Sequence, residues 1–187
     1  MFYKVSYFHK YSPTSTATLG TGRTAVALSS GDQHTCAILD NGAVSCWGSG
    51  ANGQLGNGGQ STKSTPTLTS SLGSGRTAVA LASGGVHTCA ILDNGAVSCW
   101  GQGQNGKLGN GGTTTKYSPT LTNSLGTSRT AVAITAGNSY TCAILDNGAV
   151  SCWGYGYFVG NGNGNWEETS PTLTSTLGTG RTAVAIS

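Results

Sequence analysis

Charge is scarce in this sequence. Nine Lys and Arg and six Asp and Glu stand among 187 residues, 8% of the chain, where an ordinary globular protein carries about 25%. Solubility therefore falls to Ser, Thr, Asn and Gly. The net charge of +3 is small, and Lys and Arg never gather into a basic stripe, which excludes the electrostatic footprint of a nucleic-acid binder. No run of about 18 apolar residues occurs, so no segment reads as a membrane-spanning helix. Met1 to Lys10 lack the apolar stretch and the small-residue cleavage site of a signal peptide. A signal for export, if there is one, lies outside this chain. Helical periodicity is missing throughout. Missing too is any recurring pair of carboxylates spaced for acid and base work, so a hydrolase is unsupported.

What is present is repetition. A block of fourteen residues, TCAILDNGAVSCWG, stands unchanged at Thr35 to Gly48, Thr88 to Gly101 and Thr141 to Gly154, giving a period of 88 − 35 = 141 − 88 = 53. A period near fifty belongs to units that bury their apolar faces against one another, in a propeller or a solenoid. Units of about 23–75, 76–128 and 129–180 follow. Each reads as all β. Ala25 to Leu28, Ala78 to Leu81 and Ala131 to Ile134 alternate small and large apolar residues, which suits a first strand with one tightly approached face and one filled face. His87 to Leu92 and Ala96 to Trp100 flank Asp93-Asn94-Gly95, the pattern of a hairpin with Gly in the left-handed position. A fourth strand is offered by Ser118 to Thr122, where Pro119 suits a sheet edge.

The hairpin sets the cysteines. With Asp93, Asn94 and Gly95 in the loop, Leu92 pairs with Ala96, Ile91 with Val97, and Cys89 falls opposite Cys99. The same register pairs Cys36 with Cys46 and Cys142 with Cys152, near enough across the strands for disulfides. All six cysteines are then used, and such bridges persist only in an oxidising compartment, which places the protein outside the cell or at its surface. Buried thiols in a cytosolic protein are the plain alternative. Zinc is disfavoured because the spacing is not a usual ligand spacing.

Gly84-Gly85-Val86-His87-Thr88, then Cys99-Trp100-Gly101, then Gly106-Lys107-Leu108-Gly109-Asn110-Gly111, with Gly53-Gln54-Leu55-Gly56-Asn57-Gly58 in the first unit, together resemble the regulator of chromosome condensation repeat. The match runs from about Tyr11 to Ser187. The resemblance implies a β-propeller, usually of seven four-stranded antiparallel blades, and the paired cysteines look like those of the family's exported prokaryotic members. Three blades cannot close such a ring. Tyr11-Ser12-Pro13-Thr14 matches the fourth strand of a preceding unit and Ala183 to Ile186 the first strand of a following one, so the expected architecture is an all-β partial propeller, a fragment of a larger ring. Met1 to Lys10 are then a leader or a diverged preceding unit. The alternative is self-association through exposed strand edges.

The function this implies is a non-enzymatic extracytoplasmic module that binds a protein or a surface glycan, without cofactor or metal. The family also contains guanine nucleotide exchange factors for small GTPases, and an exported branch that inhibits β-lactamases, so an exchange factor and a secreted enzyme inhibitor are the alternatives. Two loops, Gly48 to Gly53 and Gly101 to Gly106, match a dinucleotide fingerprint but lack the following helix. His34 and His87 read as structural, since Tyr140 holds that position in the third unit. Asp40, Asp93 and Asp146 read as turn residues bonding local backbone, and Trp47, Trp100 and Trp153 as blade packing. Arg23, Arg76, Arg129 and Arg181 recur once per unit and offer either a rim of anion sites or loop capping. Only the third unit breaks the pattern. There Tyr155, Tyr157 and Phe158, with Trp166 nearby, put aromatic side chains on one loop, the usual place for contact residues on a rigid scaffold.

Overall fold

In the computed structural model, residues 17–187 are described and form three four-stranded antiparallel sheets, each made of consecutive strands in chain order. The first blade holds β1 (Ala25–Ser30), β2 (His34–Leu39), β3 (Val44–Gly48) and β4 (Lys63–Leu68). The second holds β5 (Ala78–Ser83), β6 (His87–Leu92), β7 (Val97–Gly101) and β8 (Lys116–Leu121). The third holds β9 (Ala131–Ala136), β10 (Tyr140–Leu145), β11 (Val150–Tyr155) and β12 (Glu167–Leu173). The segment Tyr11 to Thr14 and the leader lie outside the described residues.

The hairpins adopt the expected register. Ile91 pairs with Val97 and Cys89 with Cys99, while Gly95 has φ 76°. Cys36–Cys46, Cys89–Cys99 and Cys142–Cys152 are disulfides with Cα atoms 4.1 Å apart. The side-chain acceptor that closes each turn is not the aspartate. Asn41, Asn94 and Asn147 accept the backbone N–H of Ala43, Ala96 and Ala149. The aspartates lean the other way, each taking an arginine from the loop before the first strand: Arg23–Asp40, Arg76–Asp93 and Arg129–Asp146 at 3.2 to 3.3 Å. The turn-capping reading of Asp40, Asp93 and Asp146 is thereby corrected for the three side chains.

The first strands also depart from expectation. The ladder slips between Ala25 and Ala27 and between Ala78 and Ala80, and such a bulge turns the extra residue away from its neighbours. Val26 and Val79 are accordingly about 60% exposed or more, and the face expected to be filled is filled by Leu81, Ile134 and Ile186, which pack against the core of the preceding blade. Ala183 to Ile186 do not form a strand, because a strand needs a hydrogen-bonded neighbour and no described residue supplies one. The backbone there still docks as in the other units. Ala183 N–H donates to the Gly148 carbonyl as Ala78 does to Gly42 and Ala131 to Gly95. Two short 3-10 turns, Gln104–Gly106 and Gly156–Phe158, complete the elements.

The core lies between blades. Cys36, Ile38, Val44, Cys46, Leu55 and Leu72 of the first blade meet Ala78, Ala90, Leu92 and Trp100 of the second. Cys89, Ile91, Val97, Cys99 and Leu108 meet Ala131, Ala143 and Trp153 of the third. This explains why β6 and β7 are buried on both faces, whereas a sheet with one solvated face would alternate. The outer strands β4, β8 and β12 each carry a proline, Pro66, Pro119 and Pro171. A residue without an N–H cannot extend a ladder, so these edges are blunted against pairing with another chain.

Candidate functional site

The residues that recur are spent on the joints between blades. His34 Nε2 lies 2.8 Å from Thr88 Oγ1 of the next blade, and Thr88 Oγ1 donates to the Gln54 carbonyl at 3.0 Å. Since the hydroxyl has one proton and gives it to that carbonyl, His34 must donate from Nε2, which leaves Nδ1 as a bare lone pair. The joint between the second and third blades is the same: His87 Nε2 to Thr141 Oγ1 at 2.9 Å, and Thr141 Oγ1 to the Lys107 carbonyl at 3.1 Å. Both Nδ1 atoms are buried without a partner. Burial holds His34 down at about 4, with Asp32 opposing weakly, and His87 down at about 3, with Lys107 and His34 adding to the effect. Gly31 and Gly84 precede these rings, and a Cβ on either would strike the imidazole and the carbonyl of the next blade's glycine. The Gly-x-x-His spacing is thus a packing requirement.

Trp100 completes the joint. Its Nε1 donates to the Gln54 carbonyl at 2.9 Å, and its ring lies where a side chain at Gly56 would be, a position with φ 65°. The fully buried indole predicts that Trp100→Ala lowers unfolding free energy by about 3 to 5 kcal/mol. Trp47 has the same place in the first blade but only partial burial, so Trp47→Ala is expected to lose less than half as much, both read from urea unfolding curves.

The recurring arginines do not converge. Arg23, Arg76 and Arg129 sit on successive blades, partly exposed and each paired with its aspartate, an arrangement that contributes at most about 1 kcal/mol per pair. Arg181 lines a shallow cleft with Asn147, Leu173 and Thr182. The two glycine-rich loops that match the dinucleotide pattern pack against the neighbouring blade: a Cβ at Gly53 would meet Tyr117, and one at Gly106 would meet Thr169.

The third blade is rebuilt on the side that faces away from the second. The Gly160 carbonyl accepts Ser175 N–H as those of Gly56 and Gly109 accept Ser70 and Asn123, which aligns the loops. Val159 then takes the buried place of Leu55 and Leu108, and Tyr157-Phe158 replaces the four residues Gln104 to Lys107. Tyr140 replaces the histidine. The four aromatic residues singled out in the sequence are brought together, and Tyr140 joins them. Ring centroids are 5.5 Å apart for Tyr140–Phe158, Tyr155–Tyr157 and Tyr155–Phe158. Tyr157 meets Trp166 edge-on at 5.2 Å. Tyr157 is 67% exposed, Phe158 57% and Trp166 68%.

Beside this group the segment Asn161 to Asn165 curls around one carboxylate. The amides of Asn161, Asn163 and Asn165 all donate to Glu168 Oε1, and the Thr172 hydroxyl donates to Oε2. Partial burial acts to raise the Glu168 pKa, but the amides of Asn163, Asn165 and Asn161 and the hydroxyl outweigh it and hold the group below the usual carboxylate range. Sequence reasoning missed this knot and the part of Tyr140. Their signals were the alternation of Asn and Gly from 161 to 165 and the change of residue at the histidine position.

The pattern described as the Regulator of chromosome condensation (RCC1) repeat matches residues 25–54, 78–107 and 131–159, and a second pattern of the same description matches 41–91 and 94–144. The chain belongs to the RCC1 repeat family. Among curated relatives, the human E3 ubiquitin-protein ligase HERC2 is 34% identical over 148 residues, 79% of this chain but 3% of the ligase. Human WBSCR16 superposes with a TM-score of 0.73 at 25% identity, covering 80% of this chain and 37% of that one. Yeast RCC1 (Prp20), solved with Kap60, superposes with a TM-score of 0.72 at 20% identity, covering 82% and 37%. The blades are therefore RCC1 blades, and three of them make a partial β-propeller.

Proposed function

We propose that this RCC1 repeat array is a non-enzymatic binding module that works outside the cytoplasm and contacts a partner protein through the third blade. One observation carries the reading. His34, His87, Thr88, Thr141, Trp100 and Trp153 are committed to joints and three of the arginines to ion pairs, whereas the single break in the repeat gathers exposed aromatic side chains on one loop. Aromatic residues on loops of a stiff scaffold are favoured contact anchors. The three disulfides support an oxidising compartment.

The test is a photo-activatable residue at position 157, with one at position 74 as control. A protein adduct from position 157 in the exported or surface fraction, with all six cysteines blocked to alkylation, supports the reading. Six free thiols in native protein overturn the location. An exchange factor for a small GTPase is the second reading, the one the family resemblance also implies, but the disulfides weigh against a cytosolic role. Accelerated nucleotide release from a GTPase would favour it.

A further inference from the structure

We propose that the cleft at each passage from one blade to the next binds the last residue of a peptide, with its free carboxylate on Arg76 or Arg129 and its apolar side chain against Leu68 or Leu121. The site is separate from the aromatic loop of the third blade. Repetition carries it. A cleft of about 180 Å³ lies where the first blade leads into the second, and Val44, Leu68, Ser71, Leu72 and Arg76 line it. A cleft of about 170 Å³ lies where the second leads into the third, and Val97, Leu121, Ser124, Leu125 and Arg129 line that one. The second set stands 53 positions after the first throughout, as 97 − 44 = 129 − 76 = 53. Each cleft is open to solvent with both of its neighbouring blades in place.

One wall is apolar and the polar groups are donors. Val44, Leu72 and Val97 are buried, whereas Leu68 and Leu121, at the ends of β4 and β8, are 58% and 57% exposed. An apolar side chain laid on them would remove that surface from water. Arg76 gives Nη1 to both oxygens of Asp93, and Arg129 gives Nη1 to Asp146 Oδ1. Their Nε and Nη2 groups make no hydrogen bond among the described residues, and that edge of a guanidinium takes a carboxylate by two parallel bonds. The backbone N–H groups of Ser71 and Leu72, and of Ser124 and Leu125, are also unbonded among the described residues. No Asp or Glu lines either cleft, so the charge each presents is that of its arginine.

Size and chemistry select the occupant. Sites that enclose a drug-sized ligand run from about 300 to 1,000 Å³, so each of these clefts has room for little more than one side chain. The apolar group and the anion must then arrive together. The last residue of a peptide carries both on a single Cα, and terminal carboxylates are a recurring target of free backbone N–H groups. An internal acidic residue fits less well, because its apolar neighbour in an extended chain points to the opposite side. A free amino acid brings an ammonium as well, and neither cleft has a carboxylate to receive it.

The experiment titrates the full chain with the N-acetylated pentapeptide GGSGL ending in a free carboxylate, reading the leucine methyl resonances by NMR. The signals of Leu68 and Leu121 are assigned from Leu68→Ile and Leu121→Ile. Both are expected to shift and saturate together, while that of buried Leu55 stays fixed. Capping the terminus as an amide should weaken binding roughly tenfold or more, and GGSGG with a free carboxylate should bind about fivefold more weakly. Arg76→Gln should abolish the Leu68 shift and leave that of Leu121, and Arg129→Gln should do the converse, so each cleft reports that the variant of the other is folded. No saturable shift, an equal response to the amide, a Leu68 shift that survives Arg76→Gln, or equal binding of the amide-capped peptide GGEGL, whose only carboxylate is internal, overturns the inference. Capture of a partner through position 157 is independent of all four results.

Discussion

Reducing the three disulfides is expected to unfold the array. Each bridge joins cysteines ten positions apart, and closing a loop of that size removes enough freedom from the unfolded chain to stabilise the fold by about 2 to 3 kcal/mol. Three bridges sum to roughly 6 to 9 kcal/mol, which is comparable to the whole stability of an ordinary domain. This chain has little in reserve, because each blade's apolar face is modest and is buried only against its neighbours. The third bridge should open first. Cys142 and Cys152 keep slight exposure, while the four cysteines of the other two bridges have none. Thermal unfolding followed by near-ultraviolet circular dichroism, with bridge opening verified by mass after alkylation, tests this. An unchanged, cooperative midpoint in fully reduced protein would remove the bridges from the stability argument.

What could be read from the sequence was local. A three-residue Asp-Asn-Gly loop dictates which residues face each other, so the pairing of Cys89 with Cys99 followed from counting outward. The joint partners were not legible in that way. His34 is held by Thr88, 54 positions away, and Trp100 by the carbonyl of Gln54. Nothing in the neighbourhood of either residue in the sequence announces the other. The division of labour in the turn was also hidden. Both Asp40 and Asn41 are chemically able to accept a turn N–H, but only Asn41 stands two positions before the exposed N–H of Ala43, whereas Asp40 lies across from the start of β1, within reach of Arg23. The aromatic loop stood out because it breaks the repeat. That the break falls at the joint position, with Tyr140 in the histidine's place and Tyr157-Phe158 in place of Gln104 to Lys107, became visible only once the loops were aligned through the carbonyls of Gly56, Gly109 and Gly160.

Stability should fall as the medium is acidified through pH 6, and the two joint histidines give the sign. In the folded chain His34 titrates at about 4 and His87 at about 3, both depressed by burial, while in the unfolded chain each titrates near 6.5. Below that value the unfolded state binds more protons than the folded one, so stability is complete above about pH 6.5 and drains away as pH falls towards the folded values. Each neutral imidazole loses about 1.4 kcal/mol per pH unit in that window, and two of them give on the order of 4 kcal/mol between pH 7.5 and 5. The cause is geometric. Protonation would place an N–H at Nδ1, which is buried without an acceptor, in the space kept clear by Gly31 or Gly84. Urea unfolding at pH 7.5 and pH 5 measures the loss, and Glu168, held below the usual carboxylate range, contributes only at more acid pH. His87→Gln keeps a donor for Thr141 and cannot titrate, so it should lower stability at pH 7.5 yet halve the decline towards pH 5. Equal midpoints at the two pH values in the parent protein would show that the imidazoles take up protons inside the fold, and that the joint does not depend on their neutrality.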